Sequence, residues 1–166
     1  MKRSKLITLC ALFAALCAIV SWISIPTPFL PITLQVFIVA LCGFTLGAKA
    51  GFITVLIYLL LGAFGVPVFS SMQGGIGTLL SANGGFLLSF PLLSFFCGLW
   101  KMKRKIYLPL LGLFICHFCG TVQFSLVTGT GLMQAVLFAS LPFILKDILL
   151  IFAARFVARK IEGLYD

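Results

Sequence analysis

The sequence predicts an all-α integral membrane protein, a bundle of six transmembrane helices with both termini cytoplasmic. Three observations carry that expectation. Of 166 residues, 62% are hydrophobic and 9% charged, against about 25% charged in soluble domains. No Asp, Glu, Lys or Arg occurs from Leu6 to Ala48, from Ala50 to Trp100, or from Ile106 to Leu145. Each of these blocks is long enough for two spans at roughly 20 apolar residues apiece, so each forms a helical hairpin. No polar–apolar alternation runs through the chain, which argues against a β-barrel. Helices satisfy their own backbone hydrogen bonds, as hydrocarbon demands.

Taken in order, span 1 covers Leu6–Ser24. The start, Met1-Lys2-Arg3-Ser4-Lys5 before an apolar run, has the form of a signal peptide. The remainder is equally apolar, so the stretch is read as a first span that is not cleaved. Span 2 covers Thr33–Ala48 and span 3 Gly51–Val66. A Gly/Ser-rich connection, Pro67–Asn83, follows. Span 4 covers Gly84–Trp100, span 5 Ile106–Val127, and span 6 lies within Gln134–Ala158, where Pro142 either starts or breaks the helix. The whole chain, 1–166, forms one transmembrane domain.

The basic residues supply the topology. Cytoplasmic loops are enriched in Lys and Arg. Lys2, Arg3 and Lys5 place the amino terminus inside. Lys49 occupies the next inner loop, Lys101, Lys103, Arg104 and Lys105 the one after, and Arg155, Arg159 and Lys160 bring the carboxyl end inside. Of the 12 basic residues, only Lys146 falls within a span. The net charge of +9 is therefore explained by orientation and by anionic inner-leaflet lipid, and gives no argument for nucleic-acid binding.

Two features point to a carrier of a small molecule. The outer connection is too apolar for a free loop and too Gly-rich for a helix. Irregular backbone at membrane depth is tolerated where protein covers it or where it lines a cavity, so a loop folded back into the bundle would cap a site. The alternative is a surface linker whose glycines only make turns. Lys146-Asp147 is the second feature, because ionisable residues inside a membrane mark substrate paths or polar pockets. Neighbours on a helix point about 100° apart, which makes Asp147 the inward residue and lets Lys146 snorkel outward. The alternative is a structural pair between helices.

Other features read as packing. Ala11, Ala14, Ala15 and Ala18 form a small-residue ridge on span 1, and Gly43, Gly47 and Gly51 another. Cys116-His117-Phe118-Cys119 is too small a set for zinc, so the cysteines are small hydrophobic residues of the core. Besides Asp147, the acids are Glu162 and Asp166 in the tail. No G-x-x-x-x-G-K-[ST] phosphate loop is present, so the chain does not hydrolyse ATP by itself.

Several ordered runs carry a resemblance. They are Pro31-Ile32-Thr33-Leu34-Gln35, Leu46-Gly47-Ala48-Lys49-Ala50-Gly51, Tyr58-Leu59-Leu60-Leu61-Gly62-Ala63-Phe64-Gly65-Val66-Pro67-Val68-Phe69, Gly74-Gly75, Gly84-Gly85-Phe86-Leu87, and Leu141-Pro142-Phe143-Ile144 with Asp147. Together they resemble the BioY family, the biotin-specific substrate-binding (S) components of energy-coupling-factor (ECF) vitamin transporters. The resemblance implies a six-helix bundle in a bacterial cell membrane that binds biotin from outside, with no cofactor. It also implies assembly with a membrane coupling protein and two ATPase subunits, and assigns the ridge of Ala11, Ala14, Ala15 and Ala18 to the coupling protein.

On that basis Asp147 accepts from a ureido N–H and Gln73 stands where the family has an amide. Asn83 is a second amide, Phe69 and Phe86 wall the ring, and the Gly74-Gly75 and Gly84-Gly85 backbones approach it. The sequence departs from the family pattern in two places. The Lys expected three residues after Asp147 is Leu150, with Lys146 preceding instead, and an Arg found after the aromatic in some members is Leu87. Lys146 is the candidate for the ligand's carboxylate. Competing readings are another small vitamin or a biotin precursor on the same scaffold, an intramembrane enzyme using Asp147, and a purely structural subunit.

Overall fold

Where a chain has almost no charge to spend on solvent, its helices form over long apolar runs and stop where charge, Gly or Pro intervenes. The computed structural model describes residues 3–27 and 30–162; Lys2 and Asp166 lie outside them. Helix α1 is Arg3–Trp22, α2 Gln35–Leu46, α3 Ala48–Ala63, α4 Ile76–Leu80, α5 Gly84–Lys103 and α6 Tyr107–Thr128. Helix α7 (Leu132–Ala135) runs through a π-turn at Val136–Ser140 into α8 (Leu141–Glu162). α1, α5, α6 and the continuous segment Leu132–Ile161 are long and apolar enough to cross a membrane, while α2 and α3 are shorter apolar helices.

α2 is the axis of the core. It packs against α1, α3, α5 and α8, and Val39, Ala40, Cys42 and Phe44 are buried along it. Its 12 residues reach only about 18 Å at 1.5 Å per residue, less than a bilayer core of about 30 Å. The chain leading into α2 is not helical. There Ser24–Ile25 (β1) and Ile32–Thr33 (β2) pair antiparallel, a ladder that the absence of alternation does not predict. Pro26 and Pro31 break the helical run, and two extended residues on either side recover the backbone hydrogen bonds.

α2 and α3 are joined by Gly47 alone, at φ +85°, a conformation that favours Gly over residues with a Cβ. Gly43 and Gly51 close the same joint from either side. A Cβ on Gly43 would strike the Ser94 carbonyl of α5, and one on Gly51 would meet the Ser94 hydroxyl. This glycine ridge therefore serves the chain's own α2–α3–α5 packing.

Of two expectations about local structure, one is corrected. The outer connection contains helix: α4 makes a short turn at Ile76–Leu80, after Gly75 at φ +91°. Its glycine content is concentrated at the turn's entry, leaving Thr78, Leu79 and Leu80 free to coil. Pro142 lies in the first turn of α8, directly after a break in regular α-helix, as one of the two readings expects. One turn earlier the helix widens, with the Leu141 N–H bonded to the Val136 carbonyl, and this slack relieves the clash of the ring with the carbonyl four residues back.

Candidate functional site

At the end of the bundle opposite Lys101–Lys105 and Arg159–Lys160, the helices part around a cavity of about 620 Å³, its open mouth included. Its walls are largely apolar: Leu30, Val36, Leu87 and the rings of Phe86, Phe90 and Phe143. Polar groups enter from Thr33 and Gln35 at the head of α2, Ser70 and Thr78 in the connection, Asn83 before α5, and Lys146 and Asp147 on α8.

Asp147 is the electrostatic centre. It is 5% exposed, and burying a carboxylate is costly unless it is paired. Lys146 Nζ lies 2.6 Å from Oδ1, and His117 Nε2 lies 3.3 Å from Oδ2. Lys146 also donates to the Thr33 carbonyl at 3.1 Å and lies over the Phe143 ring. Both members of the pair thus line the cavity, a correction to the outward-snorkelling lysine. Four methylenes let Nζ curl back across the angle between adjacent helical positions, and the carboxylate and carbonyl attract it more than the membrane surface does.

Behind Asp147 runs a buried chain of hydroxyls. His117 Nδ1 is 3.1 Å from Ser140 Oγ, which is 2.6 Å from Thr121 Oγ1. His117 Nε2 faces the carboxylate without a hydrogen bond to it, and Nδ1 shares the hydrogen bond with Ser140. The π-turn ends at Ser140, so the same local widening that accommodates Pro142 carries this hydroxyl between α6 and α8. The His117 ring also packs edge-on against Phe86, tying the polar centre to an aromatic wall.

Across the cavity, Gln35 is buried with both ends of its amide engaged. Its Oε1 accepts from Thr33 Oγ1 at 3.1 Å and its Nε2 donates to Tyr58 Oη at 3.1 Å. Tyr58 Oη donates in turn to the Val68 carbonyl at 3.1 Å, which also accepts from Ser21 Oγ. Gln35 is a site residue the sequence reading did not single out. The signal available was a lone amide in the charge-free run before α2.

The outer connection lies folded against the bundle. Trp22 Nε1 donates to the Pro67 carbonyl at 2.8 Å, and the Gly75 N–H to the Gly62 carbonyl at 2.6 Å. Gln123 on α6 donates to the carbonyls of Leu79 and Ser81, each at 2.8 Å.

The expected site residues divide clearly. Asp147, Lys146, Asn83 and Phe86 line the cavity. Phe69 does not: it is fully buried, edge-on to Tyr58 and pressed on Gly62. Gln73 is exposed and stands off the cavity, its backbone carbonyl accepting from the Phe69 N–H at 2.9 Å. Gly74 is closed off by the Val66 carbonyl, Gly84 by Leu79 and Gln123, and Gly85 by the Cys119 carbonyl, while Gly75 makes the turn into α4. Gly74, Gly84 and Gly85 thus permit close approach of other parts of the same chain, and Gly75 permits the turn. On α1, Ala14 is 8% exposed and faces the bundle, Ala18 packs against the core, and Ala11 and Ala15 face outward.

The chain is similar to known proteins along nearly its whole length. The profile of the BioY family matches residues 1–166. A probable biotin transporter BioY of Pyrococcus horikoshii is 38% identical over 161 residues, covering 97% of this chain and 98% of the relative. The biotin transporter BioY of Thermotoga maritima is 34% identical, covering 92% and 93%. The crystal structure of an S-component for biotin from an ECF-type ABC transporter superposes with a TM-score of 0.89 at 26% identity, covering 98% of this chain and 93% of that one.

Proposed function

Since the chain belongs to the BioY family, we propose that it takes up biotin across the cytoplasmic membrane as a multi-pass carrier, binding the vitamin in the cavity between α2, α5, α6 and α8. It is a transporter and not an enzyme. In this reading α1, α2, α3, α5, α6 and the α7–α8 segment are the six spans of a single domain, 1–166, and both termini are cytoplasmic. The connection between α3 and α5 caps the outer mouth. A membrane coupling protein and two ATPase subunits supply the energy, with the outward-facing Ala11 and Ala15 meeting the coupling protein.

The observation that carries the reading is the Asp147–Lys146–His117 cluster set into an otherwise apolar, aromatic-walled cavity. Biotin has a ureido ring with two N–H donors and one acceptor, an apolar sulfur ring and a carboxylate tail. The aromatic walls suit the sulfur ring. Asp147 accepts from a ureido N–H, and Gln35 and Asn83 supply amides to the same polar edge. Lys146, at the head of the cluster and 29% exposed at its side chain, is placed to meet the carboxylate that Leu150 and Leu87 cannot. Gln73, Phe69 and the paired glycines support the cap in this scheme without touching the ligand.

The test is calorimetric titration of biotin into detergent-purified protein, with Asp147→Asn alongside. The expected result is one-to-one binding that the substitution weakens by about 1.5–3 kcal/mol, the worth of a hydrogen bond to a charged group. Heat from another vitamin but none from biotin would overturn the assignment of the ligand.

A further inference from the structure

The opposite end of the bundle holds a second cluster, unrelated to the cavity. Three guanidinium groups converge on one indole. Arg155 lies 4.0 Å from the Trp100 ring centroid, Arg104 5.1 Å and Arg159 5.8 Å. Trp100 is buried and held edge-on by Phe44, so the indole is a fixed platform. Cation–π attraction holds a guanidinium on such a face, but it does not cancel the repulsion among three like charges. Arg104 and Arg159 both repel Arg155. Among the described side chains the only carboxylate is Asp147, two helical turns away along α8.

The backbone reinforces this convergence. Arg104 ends α5 in the left-handed conformation, φ 57°, with its N–H on the Trp100 carbonyl at 2.7 Å. That position ordinarily takes Gly or Asn, and a residue with a Cβ is disfavoured there; here the turn lays the arginine over Trp100. Arg155 is half-buried, and its Nε is buried with no acceptor among the described residues, so its hydrogen-bonding capacity is not met within the described chain. Arg104 and Arg159 are exposed.

We infer that Arg104, Arg155 and Arg159 around Trp100 form a binding site for the phosphate group of an anionic membrane lipid. Phosphate is the oxyanion that several guanidiniums hold best, because each presents paired donors in a plane. The lipid source follows from the surroundings. Met102, Tyr107 and Phe156 are exposed beside the cluster, giving acyl chains an apolar surface, and Lys105 and Lys160 lie over the Tyr107 and Phe156 rings as headgroup-level cations do. The end of the bundle richest in Lys and Arg is also the one that meets anionic inner-leaflet lipid.

The test compares wild type, Arg155→Gln/Arg159→Gln, Arg104→Gln, and Lys103→Gln as an exposed basic control, all purified in detergent. Each is exposed to equal phosphatidylglycerol and phosphatidylcholine, and bound lipid is counted by native mass spectrometry. Helical content by circular dichroism verifies the fold. Wild type and Lys103→Gln should retain phosphatidylglycerol over phosphatidylcholine, and the double variant should lose that preference about tenfold or more, as for lost hydrogen bonds to a charged group. Arg104→Gln should fall between them, and decides the matter if the double variant does not fold. Phosphatidylglycerol should raise the wild-type melting temperature and inorganic phosphate should not. Equal lipid retention in all four proteins overturns the site. Equal stabilisation by inorganic phosphate overturns the lipid source. Unchanged retention with lost capture of purified ATPase subunits would make the cluster a protein-docking surface and overturn it as well.

Discussion

At the scale of single residues, the cavity is organised by one charge and its partners. Asp147 is legible from sequence because it is an acid in a run otherwise free of acids. What surrounds it is not: His117 lies 30 positions earlier on α6 and Gln35 more than 100 positions earlier on α2, and nothing in their local sequence announces a shared cavity. Gln35→Leu should lower biotin affinity by about 1 kcal/mol, a typical hydrogen bond's net worth, and calorimetry would read it. Its partners, Thr33 Oγ1 and Tyr58 Oη, lose an acceptor and a donor together. Lys146→Met should be harder on the fold than Asp147→Asn, because it strands a buried carboxylate whereas Asn removes the charge. Losing one partner of a fully buried pair costs roughly 3–5 kcal/mol. Lys146 is 29% exposed at its side chain, so solvent screening reduces this to roughly 1–3 kcal/mol. Denaturation of the two variants in the same detergent would compare them.

At the scale of elements, charge-free runs locate the helices well, and span limits fall within a few residues of the observed ends. The misses have a common cause. Hydropathy measures how well a segment sits in lipid, whereas the β1–β2 ladder and the α3–α5 connection fold against protein. There the controlling fact is what the backbone touches. Gly43→Leu should therefore be severe, although the substitution suits a membrane helix by every hydropathy measure. Its side chain would enter the Ser94 carbonyl, and overpacking of this kind costs about 1–3 kcal/mol or more. Gly47→Ala meets no neighbour but forces a Cβ into φ +85°, ψ 174°, a region almost confined to Gly, at about 1–3 kcal/mol. Thermal unfolding should place both variants below wild type; unchanged melting temperatures would show that the joint between α2 and α3 is not a constraint.

At the scale of the whole molecule, the proposed function makes α1 a two-sided helix. Ala14 faces the bundle while Ala11 and Ala15 face outward. Ala11→Trp and Ala15→Trp should leave biotin binding intact yet abolish uptake that depends on a coupling protein. Ala14→Trp should instead lower stability, because a buried position cannot hold the added rings. Uptake assays in cells beside titration of purified protein separate these outcomes. Four alanines look alike in sequence; burial divides them. The same holds for the paired glycines, whose approach is to the chain's own carbonyls.

By itself the sequence determined that this chain lives in lipid, roughly where its long helices lie, which end carries the cations, and that Asp147 is a buried acid. These follow from composition and from one-dimensional spacing, which transfer energies and helix geometry convert directly into position. The tertiary structure alone decided which side chains meet. The curled Lys146, the His117–Ser140–Thr121 chain, Gln35 across the cavity and the three arginines on Trp100 all depend on contacts between helices distant in sequence. Such contacts are set by packing at ångström scale, through glycines that admit a neighbour and a π-turn that shifts a hydroxyl, and no local pattern of residues encodes them.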